Sequence, residues 1–191
     1  MRVIAGTAKS LPLKTIKGEQ TRPTTDRIKE TLFNLLSPDI PGCRFLDLFA
    51  GSGGIGIEAL SRGAEKAVFV EKNREAAAVI RENLRFTRLS DKAEVMQLDV
   101  GAAIRALALR NECFDVVFLD PPYREKWEAP VLMAISKERI LAEEGYIVLE
   151  ALMETELEEA AKEAGFEIIR EKRYKTNRHV FLQKKGMNPC F

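Results

Sequence analysis

Histidine, cysteine and tryptophan are scarce: 191 residues hold one His, three Cys and one Trp. The lone His179 leaves no multi-histidine metal site and argues against a Ser-His-Asp triad. Cys43, Cys113 and Cys190 are far apart and form no CxxC pair, against both a disulfide scaffold and structural zinc; no metal is expected. No apolar run approaches the roughly 20 residues of a membrane span. The opening MRVIAGTAKSLPLK has no signal-peptide stretch, so a cytoplasmic location away from membranes is expected. What is present is 46% hydrophobic and 31% charged residues, enough for a folded core in one domain, with at most a small appendage.

The net charge of +1 by itself predicts no polyanion partner. Its distribution is uneven. Residues 1–36 carry a local +4, residues 170–185 a local +6, and residues 151–169 a local −5. Two basic ends of this kind fit either solvated surface or a shared anionic partner.

Residues 2–16 alternate weakly around Gly6 and Pro12, as a short hairpin would. Thr24 or Thr25 can cap a helix that carries Ile28, Leu32, Leu35 and Leu36 at helical spacing, and Pro38 and Pro41 end it. Residues 1–42 therefore read as an N-terminal extension, and 43–191 as the main domain. Within it, strands over 45–49, 67–71, 93–97, 114–119 and 146–149 alternate with helices over 55–62, 74–85, 102–109, 127–136 and 154–164. Strands over 166–174 and 179–183 close the chain as a hairpin turning at residues 175–178. Repeated βα units predict a mostly parallel sheet with helices on both faces and an antiparallel edge strand.

Open α/β sheets bind ligands beyond the carboxyl ends of their strands. The first end reads Asp47-Leu48-Phe49-Ala50-Gly51-Ser52-Gly53-Gly54-Ile55-Gly56. Its glycines allow a sharp turn and close approach of a ligand, and the next helix offers free N–H groups. Gly51, Gly53 and Gly56 also match GxGxxG, so a dinucleotide is a competing ligand. At the second end Glu71, followed by Lys72, can accept from ribose hydroxyls of any adenosine cofactor. At the third, Asp99 and Val100 suit an adenine amine, or Asp99 simply caps a helix. The fourth end, Asp120-Pro121-Pro122-Tyr123, discriminates. Two prolines remove two N–H donors, leaving the Asp120 carboxylate and the Pro121 carbonyl as acceptors beside one aromatic ring. Such a loop suits a planar substrate with an exocyclic NH₂, with Tyr123 stacking on the ring.

Asp47–Gly53, Glu71, Asp99 and Asp120–Tyr123 resemble motifs I to IV of the class I S-adenosylmethionine-dependent methyltransferases that act on nucleobase amines. Arg2–Gly6, Arg22–Arg27 and Glu30–Asn34 resemble a narrower family, the bacterial small-subunit (16S) ribosomal RNA guanine-N2 methyltransferases. The resemblance spans essentially the whole chain except residues 186–191. It implies a Rossmann-like seven-stranded fold, S-adenosyl-L-methionine as cofactor, and ribosomal RNA or the small subunit as partner. It implies Asp47, Phe49, Ala50, Gly51, Ser52 and Gly53 around the methionine part, with Glu71 and Lys72 at the ribose and Asp99 and Val100 at the adenine. Asp120 to Tyr123 would hold the target base, and Arg22 to Thr24 would close over the site.

Arg2, Lys9, Lys14, Arg22, Arg27, Arg173, Lys175 and Arg178 are then the candidates for RNA phosphates. Trp127 suits either a second stacked base or the core, and His179 either a structural place or an RNA contact. Nothing in the sequence demands more than a monomer. The rival functions are a DNA adenine-N6 or other RNA guanine-N2 methyltransferase, a nucleotide-dependent oxidoreductase, and a non-catalytic RNA-binding factor.

Overall fold

A computed structural model describes residues 1–16, 26–122 and 125–186. The helix cap expected at Thr24 or Thr25, together with Arg22 and Tyr123, lies outside these residues. The chain divides into two compact units, Met1–Asp99 and Val100–Phe191. Seven strands make up one mixed sheet, ordered β3-β2-β1 within the first unit and β4-β5-β7-β6 within the second.

In the first unit, β1 (Arg44–Leu48), β2 (Lys66–Val70) and β3 (Ala93–Met96) are parallel neighbours. The runs RFLDL and KAVFV are almost continuously apolar, as strands covered on both faces must be. Their register pairs Leu48 with Val70 and Val70 with Met96, so the three carboxyl ends are level. Helix α2 (Gly54–Ser61) follows β1 and α3 (Arg74–Thr87) follows β2. α3 buries Ala76, Ala77, Ile80 and Leu84 along one face. It is capped by Asn73, whose side chain accepts from Glu75 N at 2.8 Å and Ala76 N at 3.1 Å.

The N-terminal segment forms a tight antiparallel pair, with Arg2 bridged to Pro12 and Val3 N donating to Leu11 O at 3.0 Å. Helix α1 (Asp26–Leu36) follows. Both are held to α2 by one buried carboxylate. Glu58 accepts from Ile4 N at 2.8 Å and Ala5 N at 3.0 Å, pairs with Lys29 at 3.3 Å, and accepts from Arg62 Nε at 2.8 Å. Lys29 and Glu58 have no exposed side-chain surface. Lys29 gives a further hydrogen bond to Arg2 O at 2.6 Å, and burial pushes its ammonium pKa down. Ser61, one turn on, accepts from Ala8 N at 2.9 Å and donates to Ala5 O at 2.6 Å.

In the second unit, β4 (Phe114–Leu119) and β5 (Leu141–Leu152) are parallel. β7 (Asn177–Lys184) runs antiparallel to β5, and β6 (Phe166–Arg173) antiparallel to β7. Helices α4 (Val100–Leu109), α5 (Glu128–Glu138) and α6 (Glu158–Glu163) complete the unit. Among the described residues no helix is long and apolar enough to cross a membrane.

Glu58 serves two backbone donors and two cations, so its removal strands a buried ammonium as well as two N–H groups. Glu58→Ala is expected to cost about 3–5 kcal/mol, the range for breaking a buried ion pair from one side. Lys29→Met, which leaves the carboxylate its other three donors, should cost clearly less. Urea denaturation of both variants checks the order; equal losses would mean that the backbone bonds contribute nothing.

Candidate active site

The carboxyl end of β1 turns sharply into α2. Phe49 adopts φ 66°, Gly51 φ 53° and Gly53 φ 80°. For Phe49 this left-handed geometry costs about 1–2 kcal/mol, a strain of the kind that gathers at binding sites. Ala50 N donates to Val70 O at 2.9 Å and Gly53 N to Ala50 O at 2.7 Å, which fixes the turn against β2. A Cβ on Gly51 would meet nothing within 4 Å, so that side of the loop is open, a cradle with room for a ligand. A Cβ on Gly56 would lie 2.3 Å from the Phe69 ring, so this glycine lets α2 press on β2. The third glycine of the pattern thus serves packing, and the first leaves ligand space.

Glu71 stands at the tip of β2. Its Oε2 accepts from Gly51 N at 2.9 Å and its Oε1 from Asn73 N at 2.8 Å. These two bonds orient the carboxylate and tie it to the glycine loop. Lys72 beside it is exposed. Asp99 is exposed and immediately precedes α4 in sequence, and Val100 is the buried first residue of that helix. Ser52 is half-buried and Ala50 buried.

Asp47 has a different place. Its side chain lies beneath the loop, 2% exposed, and Oδ2 accepts from Gly56 N at 3.0 Å. Gly56 is the third residue of α2, so Asp47 supplies from β1 the cap that Gly53 cannot give. Burial pushes the Asp47 carboxyl pKa up to about 7, with the Glu71 charge adding to the rise and the Gly56 bond opposing it.

Asn83 is a buried polar residue that sequence reading missed. From α3 its Nδ2 donates to Ser52 O and to Lys14 O, both at 3.0 Å, while Oδ1 accepts from Lys14 N at 2.9 Å. It fastens the glycine loop to the N-terminal segment. The available signal was an amide flanked by Ile80 and Leu84 on an otherwise apolar helix face.

In the second unit β4 is followed by half-buried Asp120, buried Pro121 and exposed Pro122. Glu125 N donates to Pro122 O at 3.2 Å. Trp127 is half-buried, and its indole N–H donates to Glu125 Oε2 at 2.8 Å. The neighbouring strands hold a buried polar chain. Asn177 Nδ2 donates to Glu150 Oε1 at 2.6 Å, Glu150 Oε2 lies 3.2 Å from His179 Nε2, and Tyr174 Oη lies 3.0 Å from His179 Nδ1. Burial and the Glu150 charge push the Tyr174 hydroxyl pKa up to about 12. The Glu150 carboxylate has only acceptors to offer, so the imidazole turns a protonated Nε2 toward it. His179 is fully buried, which removes the RNA-contact option.

The basic candidates separate. Arg178 is engaged inside the fold rather than presented at the surface: it is 6% exposed, and its guanidinium donates to Glu171 Oε1 at 2.5 Å and Thr155 O at 2.6 Å. The hairpin turns one residue earlier than expected, with Tyr174 N donating to Asn177 O at 2.8 Å, which places Arg178 inside β7. Arg2, Lys14 and Arg173 are exposed but paired with Asp26, Glu82 and Glu171. Lys9, Arg27 and Lys175 are exposed. Among the described residues no group of His, Cys, Asp and Glu could hold a metal ion.

A glycine turn after β1, a carboxylate after β2 and an Asp-Pro-Pro turn after β4, on a mixed sheet of this order, define a Rossmann-like α/β protein of the methyltransferase type. The chain belongs to the family described as Conserved hypothetical protein 95, whose model matches residues 1–183. The ribosomal RNA small subunit methyltransferase D of Escherichia coli (strain K12) is 36% identical over 157 residues, covering 82% of this chain and 77% of that protein. The enzyme of the same name from Haemophilus influenzae is 43% identical over 124 residues, 64% of each chain. The solved structure of yhhF from Escherichia coli matches with TM-score 0.83 at 30% identity, over 98% of this chain and 99% of that one. SMU.776, solved complexed with SAH, shares the fold with TM-score 0.67 at 14% identity, over 81% of this chain and 48% of that one.

The raised Asp47 pKa sets a pH dependence. With a folded value near 7 and an unfolded value near 4, the native state binds more protons between those limits, so stability falls as pH rises through them. Asp47→Asn keeps an acceptor for Gly56 N and cannot ionise. Its melting temperature relative to the parent should therefore climb from pH 5 to pH 8. A difference that stays constant over that range would show that Asp47 is ionised throughout.

Proposed function

We propose that the protein methylates small-subunit ribosomal RNA using S-adenosyl-L-methionine, and that the methyl goes to the exocyclic N2 amine of a guanine. Several relatives carry the name ribosomal RNA small subunit methyltransferase D, which supports the RNA class and the reaction. The site chemistry supports the cofactor and the amine. The observation that carries the reading is the end of β4: a half-buried carboxylate and two residues without N–H groups, Asp120, Pro121 and Pro122.

When bound, the cofactor supplies an electrophilic methyl group on a cationic sulfur. The open face at Gly51 leaves room for it, and Glu71, already oriented by Gly51 and Asn73, accepts from its ribose hydroxyls. Phe49, Ala50, Ser52 and Gly53 shape the loop around its methionine part; Lys72, Asp99 and Val100 flank the adenosine. Asp47 acts from beneath, holding the first turn of α2 in place.

Guanine N2 is a weak nucleophile because its lone pair is delocalised into the ring. Hydrogen bonds from the amine to Asp120 and to the Pro121 carbonyl favour a pyramidal nitrogen whose lone pair is free to attack. The remaining barrier is mostly positioning, which a rigid proline turn supplies. Asp120 also receives the proton that the amine loses, directly or through water. A base stacked in a helix cannot reach such a turn, so the target guanine is unpaired or flipped out at a cost of a few kcal/mol.

Asp120→Ala should lower kcat by about 10²-fold or more, the scale of a lost general base, while calorimetry shows S-adenosylhomocysteine still binding. Nucleoside mass spectrometry of the RNA product should show N2-methylguanosine. Methyl transfer by Asp120→Ala at the parental rate would overturn the role of Asp120. N6-methyladenosine as the product would overturn the guanine target alone.

A further inference from the structure

The site described above leaves the outer face of α3 unused. Arg74, Arg81, Arg85 and Arg88 follow one another at spacings of seven, four and three, which at 3.6 residues per turn puts them on a single face. All four are exposed. Arg88 closes the helix as its C-cap, so the stripe is about 21 Å long at 1.5 Å per residue. Like charges three and four apart repel one another and weaken the helix that bears them. The helix does little to relieve this. Glu82 is engaged by Lys14 from the N-terminal segment, and Glu75 sits in the first turn. Arg81 reaches only a backbone carbonyl, Val95 O at 3.4 Å, and Arg74, Arg85 and Arg88 make no ion pair among the described residues. Phe86, next to Arg85 in sequence and so about 100° further round the helix, is 53% exposed. The other end of the stripe, Arg74, directly follows Glu71, Lys72 and Asn73 in sequence.

A row of unrelieved guanidinium groups on one flank of an exposed helix surface, with an exposed ring on the other flank, is a pattern that binds single-stranded nucleic acid: phosphates on the cations and a base turned onto the aromatic face. We infer that the outer face of α3 is a docking track for a single-stranded segment of the RNA substrate. Arg81, Arg85 and Arg88 take successive phosphates, and Phe86 stacks a base. This inference rests on the ribosomal RNA reading above.

The test uses the full chain and its Arg81→Ala/Arg85→Ala and Phe86→Ala variants. Two quantities are read: anisotropy of a fluorescein-labelled single-stranded RNA at several salt concentrations, and methyl transfer to small-subunit RNA. The arginine double variant should bind about tenfold or more weakly at low salt. The slope of log affinity against log salt should fall by about 1.4, for two lost single-strand phosphate contacts. Phe86→Ala should weaken binding several-fold with the slope unchanged. Both variants should keep the parental affinity for S-adenosylhomocysteine, and the double variant should melt no lower than the parent because a repulsive pair is gone. Parental affinity and slope in the double variant would overturn the track, whatever the enzyme's activity. A lowered slope in a protein that transfers no methyl group would keep the track and overturn the proposed function instead.

Discussion

Helix α2 lies between two buried carboxylates, and the geometry of the glycine loop depends on both. From the sheet side, Asp47 on β1 takes the N–H of Gly56 in the first turn of the helix. From the helix itself, Glu58 reaches outward to Ile4, Ala5, Lys29 and Arg62. The loop has almost no side chains of its own to hold it, and it contains a strained Phe49. Its position is therefore set by what grips its ends. Asn83 adds a third grip, on Ser52 O, and shares it with the backbone of Lys14. The N-terminal segment is thus part of the scaffold of the glycine loop: Met1 packs where a Cβ on Gly54 would stand, 2.5 Å from its sulfur. Fixed groups of this kind are what a transfer reaction needs, because most of its barrier is orientation.

The order of elements was legible in the sequence because each strand is a short apolar run and each helix carries an apolar stripe. β4 falls on the expected residues, 114–119, and the shared end of β1, β2 and β3 follows from their parallel register. The errors have local causes. The acidic helix expected over 154–164 shrinks to Glu158–Glu163, because Thr155 N turns back to Leu152 O and Thr155 O is occupied by Arg178. β5 begins earlier than expected, at Leu141, since its polar Glu143 and Glu144 precede the pairing of Val116 with Tyr146. The buried charges were invisible for another reason. A charged side chain is assigned to solvent whatever its spacing, although Lys29 stands three, four and seven residues before Leu32, Phe33 and Leu36, and only the partner that Lys29 and Glu58 each find in space makes burial tolerable.

In the second unit a single carboxylate again organises its neighbours. Glu150 takes Asn177 Nδ2 on one oxygen and meets His179 Nε2 with the other, and Tyr174 Oη meets His179 Nδ1. Phe118, two residues before Asp120, meets the His179 ring edge-on at 6.1 Å. The strand that presents Asp120 is therefore packed against a polar cluster with one hydrogen-bonding arrangement. A satisfied buried network of this sort rigidifies its surroundings. A firmly held β4 fits the acceptor role proposed for Asp120 and Pro121.

Charge counted along the sequence points to the two basic ends as the place for an RNA partner, but such a count does not ask which charges are already taken. Arg178 is consumed by Glu171 and Thr155, Arg2 by Asp26, and Lys14 by Glu82. A paired exposed cation contributes little to a polyanion, because binding must first break or share the pair. The arginines of α3 lie in a stretch where acids nearly balance bases, so a window over net charge passes them by. Their spacing, not their number, sets them apart. Because the Lys14 pair engages Glu82, the N-terminal segment that braces the glycine loop also occupies an acid of the helix carrying the arginine track. One local exchange of partners thus serves both the glycine loop and the surface proposed to receive the RNA.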